Sequence, residues 1–202
     1  GVLTLSGSDT VANYQAALRA VRYANSSESP NTAPRTITYG ATDNGTPGLT
    51  GTTTATVNVT AVNDAPVAGD VTHSGANAAI GNTAFVVDDP TDGAPNPTGP
   101  EKSITGDVLA GASDVDSSNL SVVPGTFASN DGGVFTIEAD GDYTYTPAAG
   151  TSCTDTSDFA TYTVTDNEGA PQTDTAQINF SISGCVWYVD NSSAAGGNGT
   201  SA

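Results

Sequence analysis

Residues 41–66 read ATDNGTPGLTGTTTATVNVTAVNDAP, and the reading of the whole chain turns on them. Turn-forming Asp43-Asn44-Gly45 and Pro47-Gly48 lead into TATVNVTAV (54–62), where Ala55, Val57, Val59 and Ala61 share one face. A period of two is what a half-buried strand requires, and Asn63-Asp64-Ala65-Pro66 then punctuates it. Much of the phrase returns as TVTDNEGAPQTDTAQINFSIS at 163–183. Tyr39–Gly45 aligns with Tyr162–Glu168, so Asp43 and Asp166 occupy equivalent positions. One β-module is therefore expected to end near Val62 and another near Gly184.

Outward from this repeat, short apolar runs alternate with turn residues. VLTLSG (2–7), RTITYGAT (35–42), AFVVDD (84–89), KSITGDVLAG (102–111), LSVVPGTF (120–127), DFATYTVTD (158–166) and DTAQINFSIS (174–183) each read as strands. GVFTIEADGDYTYTP (133–147) reads as a hairpin, since Asp140-Gly141 suits a tight turn between alternating arms. One helix is predicted, where Val11, Tyr14, Leu18 and Val21 fall at helical spacing behind Ser8 or Asp9 as cap, its apolar stripe serving packing. Strands without intervening helices imply an all-β fold, Greek-key β-sandwich modules in tandem. The expected division is 1–62 as the C-terminal part of a first sandwich, 63–83 as a linker, 84–185 as a second sandwich, and 186–202 as a strand with a Gly/Ser-rich tail. The first stretch holds only the later strands and helix of a module, and Gly1 is no initiator, so the chain is expected to be a piece of something longer.

Four Lys and Arg against 22 acids give the 202-residue chain a net charge of −18. Such a surface repels nucleic acid and anionic membranes and attracts hard cations, although acidity also serves solubility alone. No apolar run approaches the ~20 residues of a membrane span. Cys153 and Cys185 are the only cysteines. An even count in a Thr-, Asn- and Gly-rich chain suggests one disulfide and an oxidising compartment, the alternative being two buried free thiols.

Catalytic signatures are scarce. His73, the sole histidine, stands in the Gly-rich lead-in beside no nucleophile motif, which assigns it to a surface or linker. Glu138, Asp140 and Asp142 could mimic a glycosidase pair, but a solvated hairpin tip explains them as turn residues. The acids near module edges differ, because calcium takes 6–8 oxygens and draws several carboxylates together. Asp114 and Asp116 in SDVDSSN can reach one ion if that segment is a loop. Asn63-Asp64 closes one module, and Asp166 ends a strand of the next.

These residues carry a resemblance. ATDNGTPGLTGTTTATVNVTAVNDAP resembles the last strands and linker of a cadherin repeat. It is closer still to the bacterial cadherin-like and VCBS-type Ig-like modules of giant surface adhesins. GVLTLSGSDTVANYQAALRAVRYANSS is similar to the second half of such a module, and GDVLAGASDVDSSNLSVVPG with DGDYTYTPAAG and DFATYTVTDNEG to the next. The resemblance implies Ca2+ at the junction, held by Asn63, Asp64, Asp114, Asp116 and Asp166. Glu101 stands where a repeat-start acid would serve the junction below. The acidic Leu-Asp-Arg-Glu phrase of the upper cadherin domain is absent. In this layout Cys153 and Cys185 flank adjacent strands.

CVWYVDNSSAAGGNGTSA closes the chain, with Val186, Trp187, Tyr188 and Val189 consecutively apolar, similar to the opening strand of secreted parallel β-helix proteins. Either the chain is an ordered excerpt of a long repeat protein, or this strand completes the partial sandwich of the next copy by strand addition, giving a head-to-tail homopolymer. The implied function is non-enzymatic: an extracellular, calcium-stiffened structural or adhesive module of a bacterial cell-surface protein or fibre, facing a cell-surface or polysaccharide target. The alternative is a non-catalytic spacer or accessory module of a secreted β-helix polysaccharide-degrading enzyme.

Overall fold

In the computed structural model, which describes residues 1–92 and 102–186, the chain divides into Gly1–Ala61 and Val62–Ala202. In the first unit α1 (Val11–Ala20) is capped by Thr10, whose Oγ1 accepts from Asn13 N at 3.3 Å. Asp9, expected with Ser8 as a cap, instead braces that turn from outside, accepting from Thr10 N and Asn13 Nδ2. No residue of α1 is buried, and Val11 is 73% exposed, so the stripe assigned to packing finds no cover. β1 (Arg35–Thr42) and β2 (Thr50–Val57) form an antiparallel hairpin with Arg35 opposite Val57. VLTLSG forms no strand, and the alternating run 54–62 stays in the ladder only to Val57, because β1 and β2 pair with each other alone.

The second unit carries the core. Its strands are β3 (Val71–His73), β4 (Ala79–Gly81), β5 (Phe85–Asp88), β6 (Lys102–Thr105), β7 (Ser121–Val122), β8 (Gly125–Ala128), β9 (Val134–Ile137), β10 (Tyr143–Thr146), β11 (Asp158–Thr165), β12 (Thr173–Phe180) and β13 (Ile182–Cys185). One sheet runs β6-β5-β10-β9-β8, the other β3-β12-β11-β7, and β13 pairs separately with β4. The all-β Ig-like sandwich read from the sequence is what forms. LSVVPGTF is two strands, β7 in one sheet and β8 in the other, because Pro124 has no N–H to continue a ladder and the chain crosses over there. Inward residues alternate as expected: Asp158, Ala160 and Tyr162 of β11 lie opposite Phe180, Ile178 and Ala176 of β12, all buried, as is Val164. Tyr145 stacks on Phe180 with ring centroids 3.8 Å apart.

Residues 63–83 are not a linker. β3 lies parallel to β12, with Val71 beside Ile178 and His73 beside Phe180, and β4 lies parallel to β13. Asp174 accepts from Ala68 N at 3.0 Å, Asp70 from Gln177 N at 2.8 Å, and Gly69 O from Tyr162 OH at 2.6 Å. Two strands of three residues give too short an alternation to read, and parallel pairing leaves no hairpin signal between neighbours. His73 is accordingly no surface residue. It is 6% exposed, stacked on Phe180 and hydrogen-bonded through Nε2 to Tyr143 OH.

The module has two distinguishable ends. At one, β5 finishes, β9 turns into β10, and β11 finishes; Val122 N to Ala139 O, 2.9 Å, joins the sheets there, and Val108 N to Gly141 O, 3.2 Å, ties the corner after β6 to the hairpin. Asn63 enters at this end. At the other, Cys153 and Cys185 form a disulfide that ties the β10–β11 connection to β13. Gly184 N donates to Cys153 O and Val186 N to Gly81 O nearby, at 2.7 and 3.0 Å. A Cβ on Gly81 would stand 2.6 Å from Cys185 Sγ, so a side chain there would displace the bridge.

Two outcomes follow for stability. Replacing both cysteines with Ala is expected to cost roughly 3–4 kcal/mol in urea unfolding, from loop-closure entropy restored to the unfolded chain. His73 acts through pH. Burial first, then Lys102, lowers its pKa from 6.5 to about 4. The unfolded chain then binds more protons between those two values. Stability complete above the upper value is lost as pH falls towards the lower. The stability gap between wild type and H73Q should shrink by roughly 2–3 kcal/mol between pH 7.5 and 4.5. A gap that stays constant across that range would refute a buried neutral imidazole.

Candidate cation-binding end of the sandwich

Asp166 follows β11, where the strand must give way to the loop that reaches β12. Its side chain is fully buried. Oδ1 accepts from Glu168 N and Gln172 N, both at 3.1 Å, and Oδ2 from Asn63 Nδ2 at 2.6 Å. Burial alone would raise this carboxyl, yet the Glu168, Asn63 and Gln172 donors outweigh it and hold the group below its ordinary range. The equivalent Asp43 closes its own loop identically, accepting from Gly45 N at 3.0 Å and Leu49 N at 2.8 Å. The repeated phrase is thus a six-residue carboxylate-clamped turn, two and six residues on in both copies. In the second unit the clamp has been joined by Asn63, whose carbonyl also accepts from Gln172 Nε2.

SDVDSSN is a loop, as a shared ion would require. Asp114 Oδ1 accepts from Asp116 N at 3.0 Å and Ser117 N at 3.3 Å, and Asp116 Oδ2 accepts from Asp64 N at 3.3 Å. Ser117 Oγ bridges to Asp166 O and Glu168 Oε1 at 3.2 and 3.1 Å. Asn63, Asp64, Asp114, Asp116 and Asp166 therefore come together through direct or shared hydrogen bonds. The remaining oxygens Asp114 Oδ2 and Asp116 Oδ1 are buried and accept no hydrogen bond. The Asp116 amide holds Asp114 below the usual carboxylate range, whereas desolvation and the facing Asp114 push Asp116 above it. Two buried, unpartnered hard oxygens in one loop suit a divalent cation, and Asp64, Asp114 and Asp116 are the residues that would hold it. Asp166 has its oxygens committed to the clamp and acts as the brace. Ser117, Glu168 and Gln172 escaped the sequence reading, although the spacing shared with Asp43 could have identified Glu168 and Gln172.

The hairpin acids are not all solvated turn residues. Asp142 is 0% exposed. A three-residue loop, Ala139-Asp140-Gly141, closes the hairpin between Glu138 N and Asp142 O at 2.8 Å, with Gly141 at φ 105°. Asp142 is covered by the turn after β5, where Asp89 N donates to Oδ1 at 2.9 Å. Burial, with Asp88, Asp92 and Asp140 adding to it, pushes Asp142 up to about 7. Glu101, Trp187, Tyr188 and Val189 lie outside the described residues. Val186 continues the β13–β4 edge, its carbonyl accepting from Asn82 Nδ2 at 3.3 Å. Among the described residues no helix is long and apolar enough to cross a membrane.

The profile of a family described as "Bacterial Ig domain" matches residues 63–181, beginning at Asn63 itself. No curated protein matches the chain. Similar solved structures include protocadherin gamma B7 extracellular domains 3–6 in a cis-dimer, 20% identical with TM-score 0.38, over 74% of this chain and 33% of that one. Protocadherin gamma B2 domains 3–6 are 18% identical with TM-score 0.37, over 74% and 33%. The chain thus spans about a third of the length of these solved chains.

The clamp can be tested within one protein. D166A strands three donors in a buried loop and is expected to lower the thermal midpoint by several degrees. D43A, whose donors face water, should change it by less than about 2 °C. Equal effects would refute the buried role of Asp166.

Proposed function

We infer, since the chain belongs to the bacterial Ig domain family, that it is a structural segment of an extracellular bacterial surface protein or fibre, stiffened by calcium at the Asn63 end. The observation that carries this reading is the pair of buried, unpartnered oxygens on Asp114 and Asp116, held beside Asp64 and the Asn63–Asp166 bond. Calcium would bind the carboxylates directly and neutralise a loop cluster that has no Lys or Arg to do so. The described disulfide supports an oxidising compartment, as outside a cell.

The strand directions support a load-bearing role. The chain enters at the Asn63 end and leaves past the disulfide end. Tension between Asn63 and Val186 would shear the parallel β3–β12 and β4–β13 ladders, loading their bonds together instead of unzipping them singly. Neighbouring modules of the same long protein, or further copies joined head to tail, are the partners this reading proposes. Exchange between copies would use the β4 edge that Val186 already follows. The adhesive target in this reading is a cell-surface or polysaccharide ligand outside the described site.

Sedimentation velocity and thermal unfolding, with calcium and then with excess chelator, test it. Calcium should raise the midpoint, and the D114N/D116N double variant should lose part of that gain. Polymers that loosen in chelator would support head-to-tail assembly. A 20.0 kDa monomer whose unfolding ignores calcium would refute both stiffening and polymerisation.

A further inference from the structure

Nineteen of the 22 acids lie beyond Val62, since Asp9, Glu28 and Asp43 alone precede it, and Lys102 is the one Lys or Arg among them. Lys102 is spent elsewhere, its ammonium donating to Ala76 O and Ala78 O. Any carboxylate buried in this unit must therefore be satisfied by neutral donors, take up a proton, or bind a cation from outside. Asp158 takes the first course. It is buried and accepts from Ser129 Oγ, Tyr145 OH, Asp131 N and Phe159 N at 2.5–2.9 Å, so both oxygens are filled. Asp166 does the same with its clamp.

Asp142 does not. It is as deeply buried as Asp166, yet only Oδ1 is engaged, and Oδ2 is buried without accepting a hydrogen bond. Asp88 Oδ1 and Glu138 Oε2 are likewise buried and unpartnered. Asp142 converges with Asp92 and Asp140, their carboxylate oxygens within 4.8 Å of one another. Asp92 belongs equally to a second such group with Asp89 and Asp107. Three chain segments supply these acids: the end of β5 and its turn, the Gly106-Asp107 corner after β6, and the hairpin tip.

We propose that this cluster is a second calcium site, separate from the Asn63 loop cluster, built on Asp92, Asp140 and Asp142 with Asp89 and Asp107 completing its open side. Every donor is a hard oxygen, no nitrogen or sulfur ligand is present, and the convergence of several carboxylates suits a large cation of high coordination number over magnesium. The site pins the β9–β10 hairpin to the end of β5 and to the corner after β6. Three segments that otherwise repel one another become one ligand set.

The test is calorimetric titration of calcium, with magnesium as comparator, into the chelator-stripped 202-residue chain and its variants. D92N and D142N should each remove one binding class or weaken it by at least about tenfold, while D114N/D116N removes the other. Asp92 is exposed, so D92N leaves the fold intact and decides the matter should D142N prove unfolded by circular dichroism. Isotherms of D92N and folded D142N that superimpose on wild type would overturn the site and leave Asp142 a protonated core acid. Loss confined to D92N and D142N, with D114N/D116N unchanged, would keep this site and refute calcium at the Asn63 end.

Discussion

The second unit has to bury carboxylates with almost no cations to pair them, and that constraint shapes most of what is distinctive in it. A carboxylate taken from water without compensation costs several kcal/mol or gives up its charge. Asp158 and Asp166 escape through neutral donors, and the donors they need dictate local geometry. Asp158 fixes the Ser129–Asp131 turn against the start of β11 and orients Tyr145 in the core. Asp166 fixes the β11–β12 loop and reaches across to Asn63. In each case an acid does the work that Arg–carboxylate pairs do in less acidic proteins, through dipoles whose number is set by backbone shape.

Lys102 shows the same economy from the opposite side. Its ammonium caps two carbonyls left free where the chain turns between β3 and β4, and it sits 5.9 Å from the centroid of Phe85. A positive charge placed there makes protonation of His73 still less favourable and keeps the imidazole neutral against Tyr143. The core therefore holds His73 against Tyr143 in a setting that disfavours the imidazolium. It also explains why the sole histidine is unsuited to acid–base chemistry at neutral pH: it faces rings, not a substrate, and its proton affinity has been suppressed.

How much of this could be read in the sequence depended on whether the signal was local. The hairpin around Asp140-Gly141, the β11 and β12 alternation and the kinship of Asp43 with Asp166 all lie within a few residues, and they were legible. Val71–His73 and Ala79–Gly81 were not, because a parallel edge strand draws its partner from about a hundred residues away and needs no turn of its own. Pro124 stood in plain view, but whether a proline bends a strand or moves it to another sheet depends on where the ladders lie. The Asn63, Asp64, Asp114, Asp116 and Asp166 set was recoverable only through resemblance. Asp142 was misread for a physical reason: an acid beside a turn glycine is ordinarily solvated, and the turn that covers this one, at Asp89, comes from 53 residues away in the chain.

The two ends of the module now pose opposite problems to the same chain. At the disulfide end the cross-link is covalent, and Gly81 gives way to sulfur so that the last strand cannot peel from β4. At the Asn63 end cohesion rests on acids, and those acids form two groups that differ in how completely neutral donors satisfy them. The loop group is largely satisfied through the Asp166 clamp, with Asp114 and Asp116 each keeping one oxygen free. The hairpin group has Asp142, Asp88 and Glu138 each keeping one, and no clamp. A cation would add the most where donors are fewest, so the hairpin group should gain more rigidity per ion than the loop group. Under the proposed role, the Asn63 end would then be firm only where divalent cations are plentiful, while the disulfide end would hold wherever thiols stay oxidised.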